Sequence, residues 1–238
     1  MSYSLLLLLK GPMQSWGDES RFKVRGTAST PTKSGVVGML ASAEGRRRTD
    51  SVEDLARLKF AVRVDQSGSL LRDYQTAQDW IREPGSSAKL ITRYFLSDAA
   101  FVAAVESPNK DLLEGLAQAL RTPKYPIFLG RRSCPAPPNL VLGILEVPAV
   151  EALQEHKTWH ATPVHKKECG TTVSLPIFRD ADENEEGVLR QDVPISFSST
   201  HRRYGWRKVV QNEFVSLDNP DGKTAELDDG FMDAVINA

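Results

Sequence analysis

Cysteine is scarce: Cys134 and Cys169 are the two among 238 residues. Two thiols are too few for a secreted disulfide framework, so the fold must rest on a buried core, and redox chemistry is not indicated. Long apolar runs are missing as well. The leucine run Leu5–Leu9 falls far short of the roughly 20 residues of a bilayer-spanning helix, and no basic stretch or small-residue cleavage motif frames it as a signal peptide. A cytoplasmic chain is expected. Histidine is rare too, at His156, His160, His165 and His201. The first three, with Cys169, are spaced more loosely than the paired ligands of a closed zinc site, so no metal is expected. No nucleophile stands at a recognisable interval from a histidine base, so the spacing defines no catalytic centre, and no cofactor is indicated.

What the chain does contain is an ordinary globular mixture, with 40% hydrophobic and 26% charged residues, enough for a sizeable core. The formal charge of −1, from 30 bases and 31 acids, conceals a segregation. Residues 180–192 and 209–238 together hold 13 acids against 2 bases, which leaves 28 bases and 18 acids elsewhere, a local excess of +10. Arginine supplies 18 of the 30 bases, and its planar fork suits bidentate contact with phosphates or base edges.

Along the chain, Tyr3–Lys10 followed by Gly11-Pro12 has the pattern of a buried central strand closed by a breaker. Residues 13–33 are polar and glycine-punctuated, a long loop of the kind that carries function. Ser34 is the expected N-cap of a helix through Ala43, ended by Gly45. A helical turn at Val52–Leu58 precedes an alternating strand, Phe60–Val64. Leu70–Thr76 and Leu90–Leu96 flank a Pro84–Ser87 tip and predict an extended hairpin, followed by a strand at Ala99–Val105. Ser107-Pro108 opens the clearest amphipathic helix, through Leu112, Leu113, Leu116 and Leu120 to Pro123, and Leu140–Val147 is a further strand. Residues 1–150 therefore spell β, α, β, hairpin, β, α, β, an α+β order compatible with a ferredoxin-like domain. Residues 151–238 are expected to form a smaller β-rich accessory region, with an acidic loop at 180–187 and strand pieces at 193–198 and 206–210.

One loop is deceptive. Gly26–Ser34 (GTASTPTKS) ends in Lys-Ser before a helix, as a phosphate-binding loop does, but Thr32 replaces the glycine before the lysine and Pro31 has no amide proton. That speaks against nucleotide hydrolysis while leaving the helix N-terminus open to a nucleic-acid phosphate. The stronger signal is recurrent clustering of bases with aromatics: Trp16 with Arg21, Phe22, Lys23 and Arg25; Arg46–Arg48; Arg93-Tyr94; Gly130–Ser133; and His201–Tyr204 with Trp206–Lys208. Arginine pairs with phosphate while aromatic faces stack on unpaired bases, a combination suited to single-stranded RNA. The aromatic signature of an RNA recognition motif is absent, so stacking on a strand face is not assumed.

The stretches GPMQSWG (11–17), SRF (20–22), PTKSGVVGML (31–40), RDYQT (72–76), RYFLSDAAF (93–101), LGRRSCP (129–135), DVPISF (192–197) and RRYGWRKV (202–209) together resemble the CasD family, RAMP subunits of type I-E CRISPR Cascade. The resemblance implies a RAMP fold with a ferredoxin-like core and a thumb-like hairpin at about 72–96. It implies a non-catalytic subunit that holds the 5′ handle of the CRISPR RNA and joins the CasC backbone and CasA large subunits, serving target DNA indirectly through the complex. The RNA-binding residues it suggests are Gln14, Trp16, Arg21, Arg25, Lys33, Ser34, Arg46, Arg93, Tyr94, Gly130, Arg131, Arg132, Ser133, His201 and Arg202. Trp16 and Tyr94 are either stacking or packing residues. A related subtype uses its equivalent subunit to process the guide, so an endoribonuclease is the alternative class, although no catalytic Tyr, Lys and His set matches residue by residue.

Overall fold

The computed structural model describes residues 1–17, 24–198 and 200–223. Its centre is β1 (Tyr3–Lys10), whose leucines are buried on both faces, as a strand with layers above and below requires. β1 pairs antiparallel with β7 (Ala100–Ser107) and β8 (Val141–Leu145), and β7 pairs antiparallel with β4 (Lys59–Gln66). β9 (Thr172–Asp180) joins β4, and β11 (Arg203–Asp218) and β10 (Val188–Ser196) follow, giving a seven-stranded sheet in the order β10-β11-β9-β4-β7-β1-β8. The β-rich C-terminal part thus continues the same sheet. Its strands are longer than the sequence pieces because register shifts at Arg190/Val193 and Val210/Glu213 break their alternation.

Helices α1 (Lys33–Glu44), α2 (Glu53–Ala56) and α3 (Lys110–Arg121) lie on one side of the sheet. There Leu5, Leu7, Leu9, Phe60, Val62 and Phe101 share a core with Val36, Leu40, Leu55, Leu113 and Leu116. The other face holds Leu6, Ala61, Val102 and Ala104 against α4 (Ala149–Glu155), while α5 (Pro163–Glu168) follows at the same end. Period-two alternation along β1 therefore feeds two cores. Two helix starts differ from expectation. Thr32, not Ser34, caps α1, its Oγ1 accepting from the Gly35 amide at 3.2 Å. Asn109, not Ser107, caps α3, because its Oδ1 reaches the Leu112 amide at 3.1 Å while Ser107 accepts from Asn109 one step earlier.

A second sheet carries the hairpin: β5 (Ser69–Ala77) and β6 (Lys89–Ser97) pair from Ser69↔Ser97 to Ala77↔Lys89. The long first loop is not free of structure, since β2 (Met13–Gln14) and β3 (Val24–Arg25) both pair with β6. No helix among the described residues is long and apolar enough to cross a membrane.

Candidate nucleic-acid interface

Helix α1 has two unlike sides. Val36, Val37 and Leu40 enter the core, whereas Ser34, Gly35, Gly38 and Ser42 line a groove of about 900 Å³. Its walls come from three distant segments, Arg46–Arg48, the run Tyr125–Phe128 with Gly130 and Arg132, and Phe197 with Arg202 and Tyr204. Five of the expected residues, Ser34, Arg46, Gly130, Arg132 and Arg202, meet here. Sequence reasoning missed Tyr125, Phe128 and Phe197 as site residues, since the first two lie in an irregular connection between α3 and β8 that no periodicity marks.

The Gly130–Ser133 loop forms a corner. Gly130 has φ of 85°, and a Cβ there would stand 1.6 Å from the Ser15 carbonyl oxygen, so only glycine fits both the left-handed conformation and the close approach. Beyond this turn the two arginines diverge. Arg132 lines the groove. Arg131 stacks 4.6 Å over the Phe95 ring and donates Nη2 to the carbonyls of Arg25 (3.2 Å) and Gly26 (3.3 Å). Arg25 lies beside Arg93 in the β3–β6 pairing. Burial first, then Arg93, pushes Arg131 below the ordinary guanidinium range, with Arg25 acting in the same direction and Asp73 against it. Arg93 Nε and Arg131 Nη1 are buried without a hydrogen-bond partner. Crowded cations with unmatched buried donors are the arrangement an anion completes.

Several of the expected residues, Arg46 and Ser34 of the groove lining among them, already have partners within the chain. Gln14 and Trp16 lie in the core, both 0% exposed, so of the two readings of Trp16 the packing one fits its place: Gln14 Nε2 donates to the Leu9 (2.9 Å) and Ala99 (2.8 Å) carbonyls, and Trp16 Nε1 donates to Gln14 Oε1 at 3.1 Å. The Trp16 ring lies so near α1 that a Cβ on Gly35 would meet it at 2.8 Å. Lys33 is nearly buried, with Nζ 3.1 Å from Asp180 Oδ2 and its amide on Asp192 Oδ2 at 2.9 Å. Arg46 is held by Asp54 at 2.5 Å and Glu44 at 2.7 Å, the Asp54 bonds raising its pKa most. Ser34 is half-buried, Oγ 3.5 Å from Thr32 Oγ1. Tyr94 is half-buried and its carbonyl accepts from Ser15 Oγ at 3.2 Å. Ser133, with Oγ 3.8 Å from Cys134 Sγ, and His201 are exposed, and Arg21 lies outside the described residues. The remaining histidines form two separate pairs, His156 with His160 (2.8 Å) and His165 with Cys169 (3.7 Å), and no group of three or more metal-binding side chains exists among the described residues.

The groove and its arginines belong to a known class of molecule. Residues 4–210 match the family described as CRISPR-associated protein (Cas_Cas5), and the chain belongs to that family. Within it, the chain is 37% identical over 156 residues to the Cascade subunit CasD of Escherichia coli (strain K12), a match covering 58% of this chain and 70% of that one. The fold is similar to a chain of a CRISPR RNA-guided surveillance complex, with TM-score 0.77 and 30% identity over 99% of this chain and all of that one. A crystal structure of a Cas protein is also similar, with TM-score 0.64 and 36% identity, covering 92% of this chain and 97% of that one.

Proposed function

We propose that this chain is a non-catalytic CRISPR RNA-binding subunit of a type I-E Cascade, capping the 5′ handle of the guide and joining the CasC backbone and CasA large subunits. The observation that carries the proposal is the junction at Gly130. A cationic corner (half-buried Arg93 and Arg131 beside exposed Arg25) and an arginine-walled groove (Arg47, Arg48, Arg132, Arg202) adjoin across one turn. Phosphates suit the corner, and affinity gained there falls as salt rises. The order β8-β1-β7-β4, all antiparallel with α1 and α3 in the crossovers, supports a ferredoxin-like RAMP core over about 1–150, extended by the hairpin and by an accessory region, 151–238. Against an endoribonuclease, His156 and His160 follow α4 on the opposite face of the sheet from α1, and His165 of α5 packs on Trp159 of that same core, which leaves one histidine, exposed His201, beside the groove-lining Arg202.

The test is retention and cleavage of one labelled repeat RNA, beside a scrambled control, by the purified chain alone and with its partner subunits. Selective retention of an intact 5′ handle in the assembly is expected. Specific cleavage by the chain alone would replace the proposal with guide processing.

A further inference from the structure

Beyond guide binding, we infer that the face of the sheet opposite α1 carries a second nucleic-acid surface, where Lys10, Lys157, Lys166 and Lys167 receive the phosphate backbone of duplex DNA. Lys10 ends β1, Lys157 lies in the loop after α4, and the other two belong to α5. That loop is firmly held. Arg63 and Asp65 of β4, both 0% exposed, form an ion pair at 2.7 Å beneath it. Arg63 donates to the carbonyls of Leu153 (2.9 Å), His156 and Thr158 (2.7 Å). Asp65 Oδ2 accepts from the His160 amide and the Asp65 carbonyl from Trp159 Nε1, each at 2.7 Å. Lys10 Nζ donates to the His160 carbonyl at 2.7 Å, and Lys166 Nζ stands 5.5 Å over the Trp159 ring. The buried pair thus ties down main chain, and the loop reaches the surface as a rigid support for the cations around it.

Those cations are uncompensated. Among the described residues the lysines in ion pairs are Lys33, Lys59 and Lys110, none of them here. Asp65 is matched by Arg63, and the exposed Glu155 and Glu168 leave four lysines in excess. Burial first, then Lys166, pushes Lys10 below the ordinary lysine range, with Asp65 acting against the shift. Two ammonium groups therefore repel across the patch, and a phosphate between them relieves the repulsion.

The make-up of the patch selects its occupant. Lysines attract phosphate as point charges and carry no base-reading fork. No open ring accompanies them, since Trp159 is 6% exposed and His156 and His160 stack on each other with centroids 5.1 Å apart. The α1 side has the reverse composition, arginines beside exposed Tyr125. Unpaired bases favour rings to stack on, whereas a duplex keeps its bases stacked inside and presents a dense row of phosphates. The lysine face fits the duplex.

The experiment measures duplex DNA binding across a salt series by the purified chain and by the guide-loaded assembly, with a target duplex and a scrambled one. Lys157→Gln with Lys167→Gln removes two exposed charges and leaves the Arg63–Asp65 support in place. Lys110→Gln with Arg121→Gln makes the same change of charge on α3. The first variant should flatten the log-log salt slope by about 0.9 for each duplex phosphate no longer neutralised, equally on both duplexes, while the α3 variant keeps the native slope. Lys157→Arg with Lys167→Arg should restore it. An unchanged slope, or an equal shift in the α3 variant, would overturn the inference and leave guide binding standing. Loss of guide retention with duplex binding intact would make the occupant RNA, and failed assembly at native duplex affinity would make it an acidic surface of another subunit; either result overturns the inference. A chain that retains no guide yet shows the duplex shift would overturn the RNA-binding proposal and support this one.

Discussion

Arg207 grips Asp192 with two nitrogens, Nε to Oδ1 at 2.6 Å and Nη2 to Oδ2 at 2.8 Å. Its third nitrogen reaches Asp180 Oδ1 at 2.6 Å. The two carboxylates also hold Lys33 and the Phe60 amide. One cation from β11 therefore locks the C-terminal strands to the start of α1 and so fixes the groove wall.

Removing that cation should be costly. Arg207 and Asp192 side chains are 9% and 4% exposed, and Arg207→Ala would leave two carboxylates short of their partner. A loss on the order of 3–5 kcal/mol is expected, read by urea unfolding. Arg207→Lys should recover only part, since a lysine offers no planar fork. A variant as stable as the native chain would deny the lock.

The corner cations should behave in the opposite way. Because Arg93 Nε is buried without a partner and lies next to Arg131, Arg93→Met is expected to leave thermal stability equal or raised while weakening RNA binding. Parallel melting curves and RNA titrations check this. A destabilised variant with unchanged affinity would mean that Arg93 is a packing residue.

Arg131→Ala combined with Arg132→Ala should weaken handle retention and complex assembly without unfolding the chain. The log-log salt slope of binding should shrink by about 0.7 for each single-strand phosphate that the variant no longer neutralises. Filter binding across a salt series, beside circular dichroism, distinguishes this from loss of fold.

Gly130→Ala should be damaging although it adds one methyl group. With φ of 85° and the Ser15 carbonyl in the way, the loop must move, at a cost on the order of 1–3 kcal/mol for the backbone conformation alone. The checkable outcome is a lowered melting temperature together with reduced RNA retention.

Acid should loosen the opposite face. His156 and His160 lie with Nε2 atoms 2.8 Å apart, and they face Arg63 and Asp65 from β4 and Lys10 from β1. Burial lowers both pKa values, His160 from 6.5 to about 4, with Asp65 opposing the shift. Between those values the unfolded chain binds more protons than the folded one. The stability that the neutral pair contributes is therefore full above about pH 6.5 and lost as pH falls towards 4. His160→Asn should flatten that limb of a stability-versus-pH curve; an unchanged limb would assign it to other groups.

The sequence made some of this legible and hid the rest for physical reasons. Leu5–Leu9 and the spaced leucines of α3 announce themselves because burial imposes a period. Lys33 and Arg46 look like surface cations because their partners are distant or unremarkable: Asp180 and Asp192 sit in a stretch that resembles a solvated acidic loop, and Asp54 follows in a short helical turn. Trp16 reads equally as a stacking ring or an anchor, since only Gly35, folded against it, decides. The groove could not be assembled from spacing, because its walls lie at 46–48, 125–132 and 197–204 and are brought together by the sheet and α1.

Five consecutive leucines carry no information about alignment. Sliding Tyr3–Lys10 by one residue would exchange one leucine for another on both sides of the sheet with little hydrophobic consequence. The two ends break that degeneracy: Ser4 Oγ donates to the Val147 carbonyl at 2.8 Å, and Lys10 Nζ donates to the His160 carbonyl at 2.7 Å. A serine and a lysine act as the ruler for a strand whose apolar middle cannot measure itself.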